Sequence, residues 1–314
     1  MTAALLFPGQ GSQSVGMGRE LADAFADARA VFDEVDDALG EPLSQMIWNG
    51  PAADLTLTRN AQPALMAVSL AAVAALEAAG LRLPGKTAFA AGHSLGEYSA
   101  LAAAGAFTIA DAARLLRRRG DAMQSAVPVG EGAMAALLGL DLATAEAVAA
   151  EAAGGEVCAV ANDNSDGQVV VSGHTAAVNR AIEIARAKGA KRAILLPVSA
   201  PFHCSLMAPA AVAMARVLGD IAISVPRLPI VANVTAAPVL DPDEIRRLLV
   251  EQVTGRVRWR ETILRLAAEG VDTFVEVGAG RVLTGLVKRS VDGARCLAVG
   301  TPDDIPAALE ALSG

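Results

Sequence analysis

The segment Gly92-His93-Ser94-Leu95-Gly96 contains the residues with the clearest chemical potential in this sequence. It matches the pattern G-x-S-x-G, in which a serine stands at a sharp turn between a strand and a helix and exposes its hydroxyl. The residues on either side predict that context, with a strand over 87–91 and a helix over 97–104. The pattern favours a nucleophilic Ser94, with the backbone N–H of Leu95 as one oxyanion donor. An ordinary glycine- and serine-rich turn is the alternative.

A serine hydroxyl is a weak nucleophile and needs a base within hydrogen-bond distance. The chain contains three histidines. His93 directly precedes Ser94, so its side chain is expected to point away from the serine hydroxyl. His174 lies at a predicted strand-to-helix junction, where a surface or capping role is expected. His203 follows an apolar run, where site residues collect in α/β proteins, and is therefore the predicted general base.

Composition excludes several classes of protein. The chain has 314 residues, of which 53% are hydrophobic and 19% charged, as expected of a globular protein with one large domain or one large and one small. The formal net charge of −8 argues against a broadly basic nucleic-acid-binding surface. The longest apolar stretch, 64–76, is too short to span a bilayer, and the N-terminus lacks a basic signal-peptide region. Neither a membrane nor a nucleic acid is a predicted partner.

The cysteines Cys158, Cys204 and Cys296 are odd in number and far apart, without the spacing of a metal site. They fit a reducing compartment, and no metal site is predicted. We therefore expect a cytoplasmic protein, and a monomer is the expected oligomeric state.

Short apolar runs alternate with longer amphipathic stretches, a pattern typical of a parallel sheet covered by helices. The main-sheet strands are predicted at 3–7, 87–91, 230–233 and 273–277, with helices at 61–79 and 109–126. Between 127 and 197 the predicted order changes to β-α-β-β-α-β, the ferredoxin-like unit. The predicted fold is an α/β-hydrolase-like core of residues 1–126 and 198–314 with a mostly parallel sheet, into which a ferredoxin-like subdomain of residues 127–197 is inserted.

Four separated motifs of this chain resemble those of malonyl-CoA:acyl carrier protein transacylases. They are Phe7-Pro8-Gly9-Gln10-Gly11-Ser12-Gln13, Gly92-His93-Ser94-Leu95-Gly96-Glu97-Tyr98, Arg119-Gly120 and Pro201-Phe202-His203-Cys204. The resemblance implies a ping-pong reaction in which Ser94 takes a malonyl group from coenzyme A and passes it to the phosphopantetheine thiol of an acyl carrier protein. Fatty acid synthesis is the implied pathway. No bound cofactor is implied, because phosphopantetheine is carried by the partner.

The resemblance also implies roles for individual residues. Gln10 would supply a second oxyanion N–H beside Leu95, and Arg119 would hold the malonyl carboxylate, a task that suits guanidinium geometry. A backbone carbonyl orients the histidine in this family, and the matching segment is 257–259, around Arg258. Phe202 resembles the bulky residue that disfavours methylmalonyl groups. Four further positions resemble pocket-lining residues: Gln62, Met123, Asn162 and Val282.

Positive charge is clustered locally although the net charge is negative. The clusters include Lys188, Lys191 and Arg192 in the predicted insert, and Arg117 in the basic run 114–119. Acyl carrier proteins of this pathway are typically acidic, so we expect these residues to contact the carrier protein.

Two other classes of function remain open from the sequence alone. A serine hydrolase or thioesterase would share Ser94 and His203 but would need no carboxylate clamp, so Arg119 distinguishes it from a transacylase. A non-catalytic carrier-binding component is difficult to reconcile with both of these residues. Among transacylases, an enzyme that serves a polyketide synthase or a malonate-decarboxylating system would carry similar motifs.

Overall fold

The computed structural model describes residues 2–313. The strands are β1 (Ala3–Phe7), β2 (Thr87–Gly92), β3 (Gly132–Leu138), β4 (Cys158–Ser165), β5 (Gln168–His174), β6 (Arg192–Leu195), β7 (Ile230–Val231), β8 (Pro238–Val239), β9 (Thr273–Val277) and β10 (Arg295–Val299). The first helices are α1 (Arg19–Ala24), α2 (Ala26–Leu39), α3 (Leu43–Asn49), α4 (Ala52–Thr56), α5 (Thr58–Ala78), α6 (Leu95–Ala103) and α7 (Ile109–Ser125). The remaining helices are α8 (Leu142–Ala153), α9 (Thr175–Ala187), α10 (Ala208–Gly219), α11 (Pro242–Thr254), α12 (Trp259–Ala268), α13 (Val282–Ser290) and α14 (Ile305–Ser313), with short 3₁₀ helices at Ser205–Met207 and Pro302–Asp304.

The main sheet has the strand order β10-β9-β1-β2-β7-β8. Neighbouring strands are parallel except for β7 and β8, which confirms the predicted mostly parallel sheet. Strands β1 and β9 have the predicted bounds and are buried along their whole length, because helices cover both faces of the sheet. The strand predicted at 230–233 is shorter, and the two edge strands of the sheet, β8 and β10, were not predicted from the sequence pattern.

A second sheet is antiparallel and has the strand order β4-β5-β3-β6. With α8 and α9 it forms the β-α-β-β-α-β succession of a ferredoxin-like unit, as expected. It spans residues 132–195, inside the predicted range 127–197. Apolar side chains between this sheet and its two helices form a core of their own, which includes Leu137, Val148, Val171 and Val178.

The second sheet is joined to the large domain through β4. The N–H of Val257 donates to the carbonyl of Ala161 (2.8 Å), and the N–H of Asp163 donates back to the carbonyl of Val257 (3.0 Å). The Asp163 carboxylate also pairs with Arg260 at 3.0 Å. These bonds hold Asn162, which lies between the two bonded residues, at the cleft between the domains.

Helix α5 is buried along most of its length within the helical layer. By length and composition it could cross a membrane, but 83% of its apolar window is buried inside the protein. A helix that is apolar all round is also typical of a large core. Helix α7 crosses it closely at Gly120, where a Cβ would lie 2.5 Å from the Cα of Arg59. This close approach places Arg119 of α7 beside Gln62 of α5.

Candidate active site

Ser94 occupies the sharp turn between β2 and α6. Its φ of +55° and ψ of −109° are values that non-glycine residues rarely adopt. The positions on either side of this turn have no room for a side chain and therefore require glycine. A Cβ on Gly92 would lie 1.9 Å from the carbonyl carbon of Gly96, and one on Gly96 would lie 2.2 Å from the carbonyl oxygen of Phe7. The chain therefore has a nucleophile elbow, with the serine side chain in the cavity described below.

Asn233, just beyond the end of β7, hydrogen-bonds to both sides of the elbow. Its Oδ1 accepts a hydrogen bond from the N–H of Ser94 (2.7 Å), and its Nδ2 donates to the carbonyl oxygen of Gly92 (2.7 Å). Asn233 is fully buried. The side chain thus holds the strained turn on both sides of His93, so strand, turn and helix keep a fixed arrangement.

His203 lies against the nucleophile. The distance from Ser94 Oγ to His203 Nε2 is 2.7 Å. On the other side of the ring, Nδ1–H donates to the carbonyl oxygens of Gln252 (2.9 Å) and Gly255 (3.1 Å). Two carbonyl acceptors at Nδ1 leave Nε2 as the unprotonated nitrogen that accepts the serine proton. Burial, reinforced by the nearby Arg119 cation, lowers the pKa of His203 to about 3, so the free enzyme holds a neutral base.

The prediction that the backbone around Arg258 orients this histidine is wrong. Arg258 pairs its guanidinium with Glu261, and its carbonyl oxygen accepts the N–H of Thr262 in the first turn of α12. Its carbonyl is therefore engaged within the helix and does not contact His203. Gln252 and Gly255, which stand earlier in the chain, supply the two carbonyls instead.

Two residues that line the cavity beside Ser94 carry backbone N–H groups that could reach an oxyanion there. Gln10 follows β1 in a glycine turn, and Leu95 is the first residue of α6. Neither N–H has a hydrogen-bond acceptor among residues 2–313. The side chain of Gln10 accepts a bond from the hydroxyl of Thr58 (3.0 Å), which fixes the turn. Such unpaired N–H groups, one of them at a helix N-terminus, are suited to an oxyanion.

Arg119 lies beneath the nucleophile and is 1% exposed. Its guanidinium donates to Gln62 Oε1 (2.8 Å), Gln252 Oε1 (2.8 Å) and Ser94 Oγ (3.2 Å). The Tyr98 ring lies 5.5 Å away. Within residues 2–313 no carboxylate pairs with this guanidinium at ion-pair distance, and its Nε has no acceptor. Burial lowers the pKa of Arg119, yet a guanidinium stays protonated, so the site holds a buried cation that no carboxylate of the described residues contacts directly.

These groups surround a cavity of about 400 Å³ between the two domains. Of the residues predicted to line it, four do so: Gln62, Met123, Asn162 and Phe202. Val282 does not, which corrects that prediction. It is 49% exposed at the start of α13, because the buried stripe of this helix runs through Leu283, Leu286 and Val287.

Comparison with known proteins identifies the family. An acyl transferase domain matches residues 4–307. A malonyl CoA-acyl carrier protein transacylase of Bacillus subtilis is 46% identical over 310 residues, which cover 98% of this chain and 96% of that protein. The chain belongs to the malonyl CoA-acyl carrier protein transacylase family. It is an acyltransferase.

Solved structures of transacylases agree with this fold. An acyl-carrier-protein S-malonyltransferase of Bartonella henselae has a TM-score of 0.98 and 56% identity, with each chain covered completely. A second malonyl-transacylase, solved in complex with the holo acyl carrier protein of a type II polyketide synthase, has a TM-score of 0.96 and 43% identity. The superposition covers 99% of this transacylase chain and 100% of that one.

The basic residues predicted to contact a carrier protein differ in their availability. Lys191 and Arg192 are exposed, and neither forms an ion pair with an acid of the described chain. Lys188 is also exposed but pairs with Glu151 at 3.1 Å. Arg117 is only 11% exposed and is paired with Glu41, so the structure removes it from the predicted docking surface of this transacylase.

Sequence reasoning missed three buried polar residues of the site: Glu97, Asn233 and Gln252. One of them had a detectable sequence signal. The buried stripe of α11 runs through Ile245, Leu248, Leu249 and Gln252, at the spacing i, i+3, i+4, i+7. A glutamine on an otherwise apolar helical face is unusual, because a buried amide needs hydrogen-bond partners.

Proposed function

We propose that this chain transfers malonyl from malonyl-CoA to the phosphopantetheine thiol of an acyl carrier protein through a malonyl-Ser94 intermediate. It works as a cytoplasmic monomer without a bound cofactor and supplies fatty acid synthesis. The observation that carries the proposal is the buried guanidinium of Arg119, which lies 3.2 Å from the nucleophilic oxygen and contacts no carboxylate of the described residues. A malonyl carboxylate is separated from the thioester carbonyl by one methylene, so a cation this close to Ser94 matches the length of that acyl group.

In the first half-reaction, Ser94 Oγ attacks the thioester carbonyl while His203 Nε2 accepts the hydroxyl proton. The carbonyl oxygen becomes an oxyanion, which the N–H groups of Gln10 and Leu95 stabilise. The carbon–sulfur bond then breaks, and His203 returns the proton to the coenzyme A thiolate. The carbonyls of Gln252 and Gly255 keep the ring oriented and stabilise the imidazolium that forms transiently, as a carboxylate does in other triads.

In the second half-reaction the carrier thiol takes the place of coenzyme A. His203 removes the thiol proton, the thiolate attacks the malonyl-serine ester, and the proton passes to Ser94 Oγ as the ester bond breaks. Malonyl binding also affects the base: burial and then the Arg119 cation lower the pKa of His203, and a carboxylate paired with that cation offsets part of the effect of Arg119.

Transfer to a thiol separates this proposal from thioesterase action. We expect enzyme mixed with malonyl-CoA and holo-carrier protein to yield malonyl-carrier protein, with free malonate as a minor product. Free malonate as the main product would favour the thioesterase. Omitting the carrier protein measures the background hydrolysis.

Phe202 provides a test of acyl-group selection. It lines the cavity directly before His203 and is buried. Replacing it with serine removes bulk near the α-carbon of the acyl group, so we expect Phe202→Ser to raise the methylmalonyl-to-malonyl ratio of kcat/KM by roughly 10-fold or more, the scale for one or two methylene-sized groups in a pocket. Competition between the two coenzyme A esters measures this ratio. An unchanged ratio would show that another part of the wall selects the acyl group.

Lys191 and Arg192 provide a test of carrier docking. Arg192 begins β6, an edge strand that leads to the cavity-lining residues 196–198, and Lys191 directly precedes it. Reversing both to glutamate should raise the apparent KM for an acidic carrier protein and flatten its salt dependence, because steering charges are screened within about 8 Å at physiological ionic strength. Acylation of Ser94 by malonyl-CoA should change little.

The matched control reverses Lys288 and Arg295, which are also exposed. Arg295 begins β10, so it lies at the end of the parallel sheet opposite Ser94, which follows the end of β2. The control should leave the carrier KM unchanged. If the Lys191 and Arg192 reversal impairs both half-reactions equally, these residues bind coenzyme A or support folding, and the docking surface lies elsewhere.

A further inference from the structure

Glu97 is a buried carboxylate that the mechanism above does not use. It lies on α6, one helical turn after Ser94, and is 2% exposed. Its Oε2 accepts hydrogen bonds from the Gln252 side-chain amide (2.7 Å) and from the N–H of Asn233 (3.1 Å). It does not line the cavity, so it does not touch the acyl group. A buried acid in contact with two site residues requires a physical reason, because burying a carboxylate is costly.

Gln252 connects this acid to the reacting groups. Its Nε2 donates to Glu97 and to the carbonyl oxygen of Ser94 (3.0 Å), and its Oε1 accepts from Arg119 (2.8 Å). Its backbone carbonyl accepts from Nδ1–H of His203 (2.9 Å). One residue therefore contacts the nucleophile, the base and the buried cation.

The chemistry of the two partners determines the orientation of the Gln252 amide. An ionised carboxylate only accepts hydrogen bonds, and a guanidinium only donates them. With Glu97 on one side and Arg119 on the other, only one of the two flipped amide positions satisfies both. In the flipped position, the NH₂ of Gln252 would face the guanidinium, with two donors opposite each other, and its Oε1 would face the carboxylate, with two acceptors opposite each other.

We propose that Glu97 is a positioning residue for acyl-group selection: through the Gln252 amide it holds the Arg119 guanidinium in the orientation that receives a carboxylate-bearing acyl group. This inference rests on the proposed function. It makes the malonyl preference depend on a residue that never contacts substrate.

The test is Glu97→Gln, which preserves the size of the side chain and lets the residue present either a donor or an acceptor to Gln252. Burial raises the pKa of Glu97 to about 7, so the comparison is made at pH 8, where most of the wild-type carboxyl is ionised. We expect kcat/KM for Ser94 acylation by malonyl-CoA to fall at least ~10-fold, the scale of a lost hydrogen bond in a charged network. The value for acetyl-CoA should fall much less, so the malonyl-to-acetyl ratio decreases.

The direction in which the malonyl-to-acetyl ratio changes distinguishes three explanations. Removing a negative charge near Arg119 would strengthen carboxylate binding if charge alone mattered, and the ratio would then increase. A role confined to folding would lower both rates equally. Either outcome overturns the positioning role, and only a decreased ratio supports it.

Two further variants complete the design. Glu276→Gln removes another buried carboxylate, which lies outside the cavity lining and accepts hydrogen bonds from the N–H groups of Leu283 and Thr284 at α13. This variant should not change the ratio.

In an Arg119→Ala background, Glu97→Gln should have no further effect on the malonyl-to-acetyl ratio, because Arg119, through which Glu97 acts, is absent. A further decrease there would contradict the inference. If wild-type enzyme failed to acylate Ser94 at all, the proposed function itself would fail, a distinct result.

Discussion

Replacing Ser94 with alanine should abolish the acyl-enzyme, and replacing His203 with alanine should slow its formation by at least ~100-fold, the usual effect of removing a general base. The reason is the 2.7 Å contact between Ser94 Oγ and His203 Nε2, which gives the serine proton a neutral acceptor. Rapid mixing with malonyl-CoA, followed by quenching and mass measurement of the protein, gives the rate directly.

His174→Ala is the matched control for loss of a histidine. Its Nδ1 accepts the N–H of Val157 in the second sheet, and it does not line the cavity. We expect acylation to remain close to the wild-type rate. A loss as large as that of His203→Ala would show that the base is assigned to the wrong residue.

Replacing Arg119 with alanine should weaken malonyl transfer by roughly 2 to 5 kcal/mol, the scale for truncating one partner of a desolvated charge pair. The malonyl carboxylate would enter a buried site without its cation. Acetyl transfer should suffer much less, because an acetyl group carries no charge, although the contact of Arg119 with Ser94 Oγ is also lost. The measurement is kcat/KM for each coenzyme A ester.

Arg118→Ala is the control for this change. Arg118 directly precedes Arg119 on α7 but is exposed, so its loss should change neither rate appreciably. Equal losses with malonyl and acetyl in Arg119→Ala would rule out a carboxylate clamp.

The chemistry of Ser94 could be predicted because its geometry is encoded locally. A strand, two glycines around a serine and a following helix stand next to one another in the chain, and the distances at Gly92 and Gly96 show why neither glycine tolerates a side chain. His203 could be predicted by elimination among the three histidines. The strand succession of the second sheet was likewise visible, because each element carries its own apolar pattern.

The groups that hold this chemistry in place were harder to predict, because they come together only in the folded chain. Gln252 meets His203 across 49 residues and Glu97 across 155. The carbonyl that orients the base is a backbone atom, which any residue type can supply, so no pattern distinguishes Gln252 from Arg258. Arg117 and Arg119 look alike in the sequence, yet one is paired with Glu41 and the other lies beneath the nucleophile.

The polar residues of the site do share one sequence property. Arg119 stands on the buried stripe of α7 with Leu115, Leu116 and Met123, as Gln252 stands on that of α11. A polar side chain on such a stripe must find partners inside the protein. A polar residue on the buried stripe of an amphipathic helix is therefore a sequence signal for a site residue, and both Arg119 and Gln252 carry it.

The most direct test of the central claim is to trap the intermediate. Enzyme incubated with malonyl-CoA alone should gain the mass of one malonyl group, and peptide mapping should place it on Ser94. Adding holo-carrier protein should return the enzyme to its original mass as malonyl-carrier protein appears. A malonyl group on any other residue, or carrier acylation by Ser94→Ala enzyme at the wild-type rate, would contradict the account.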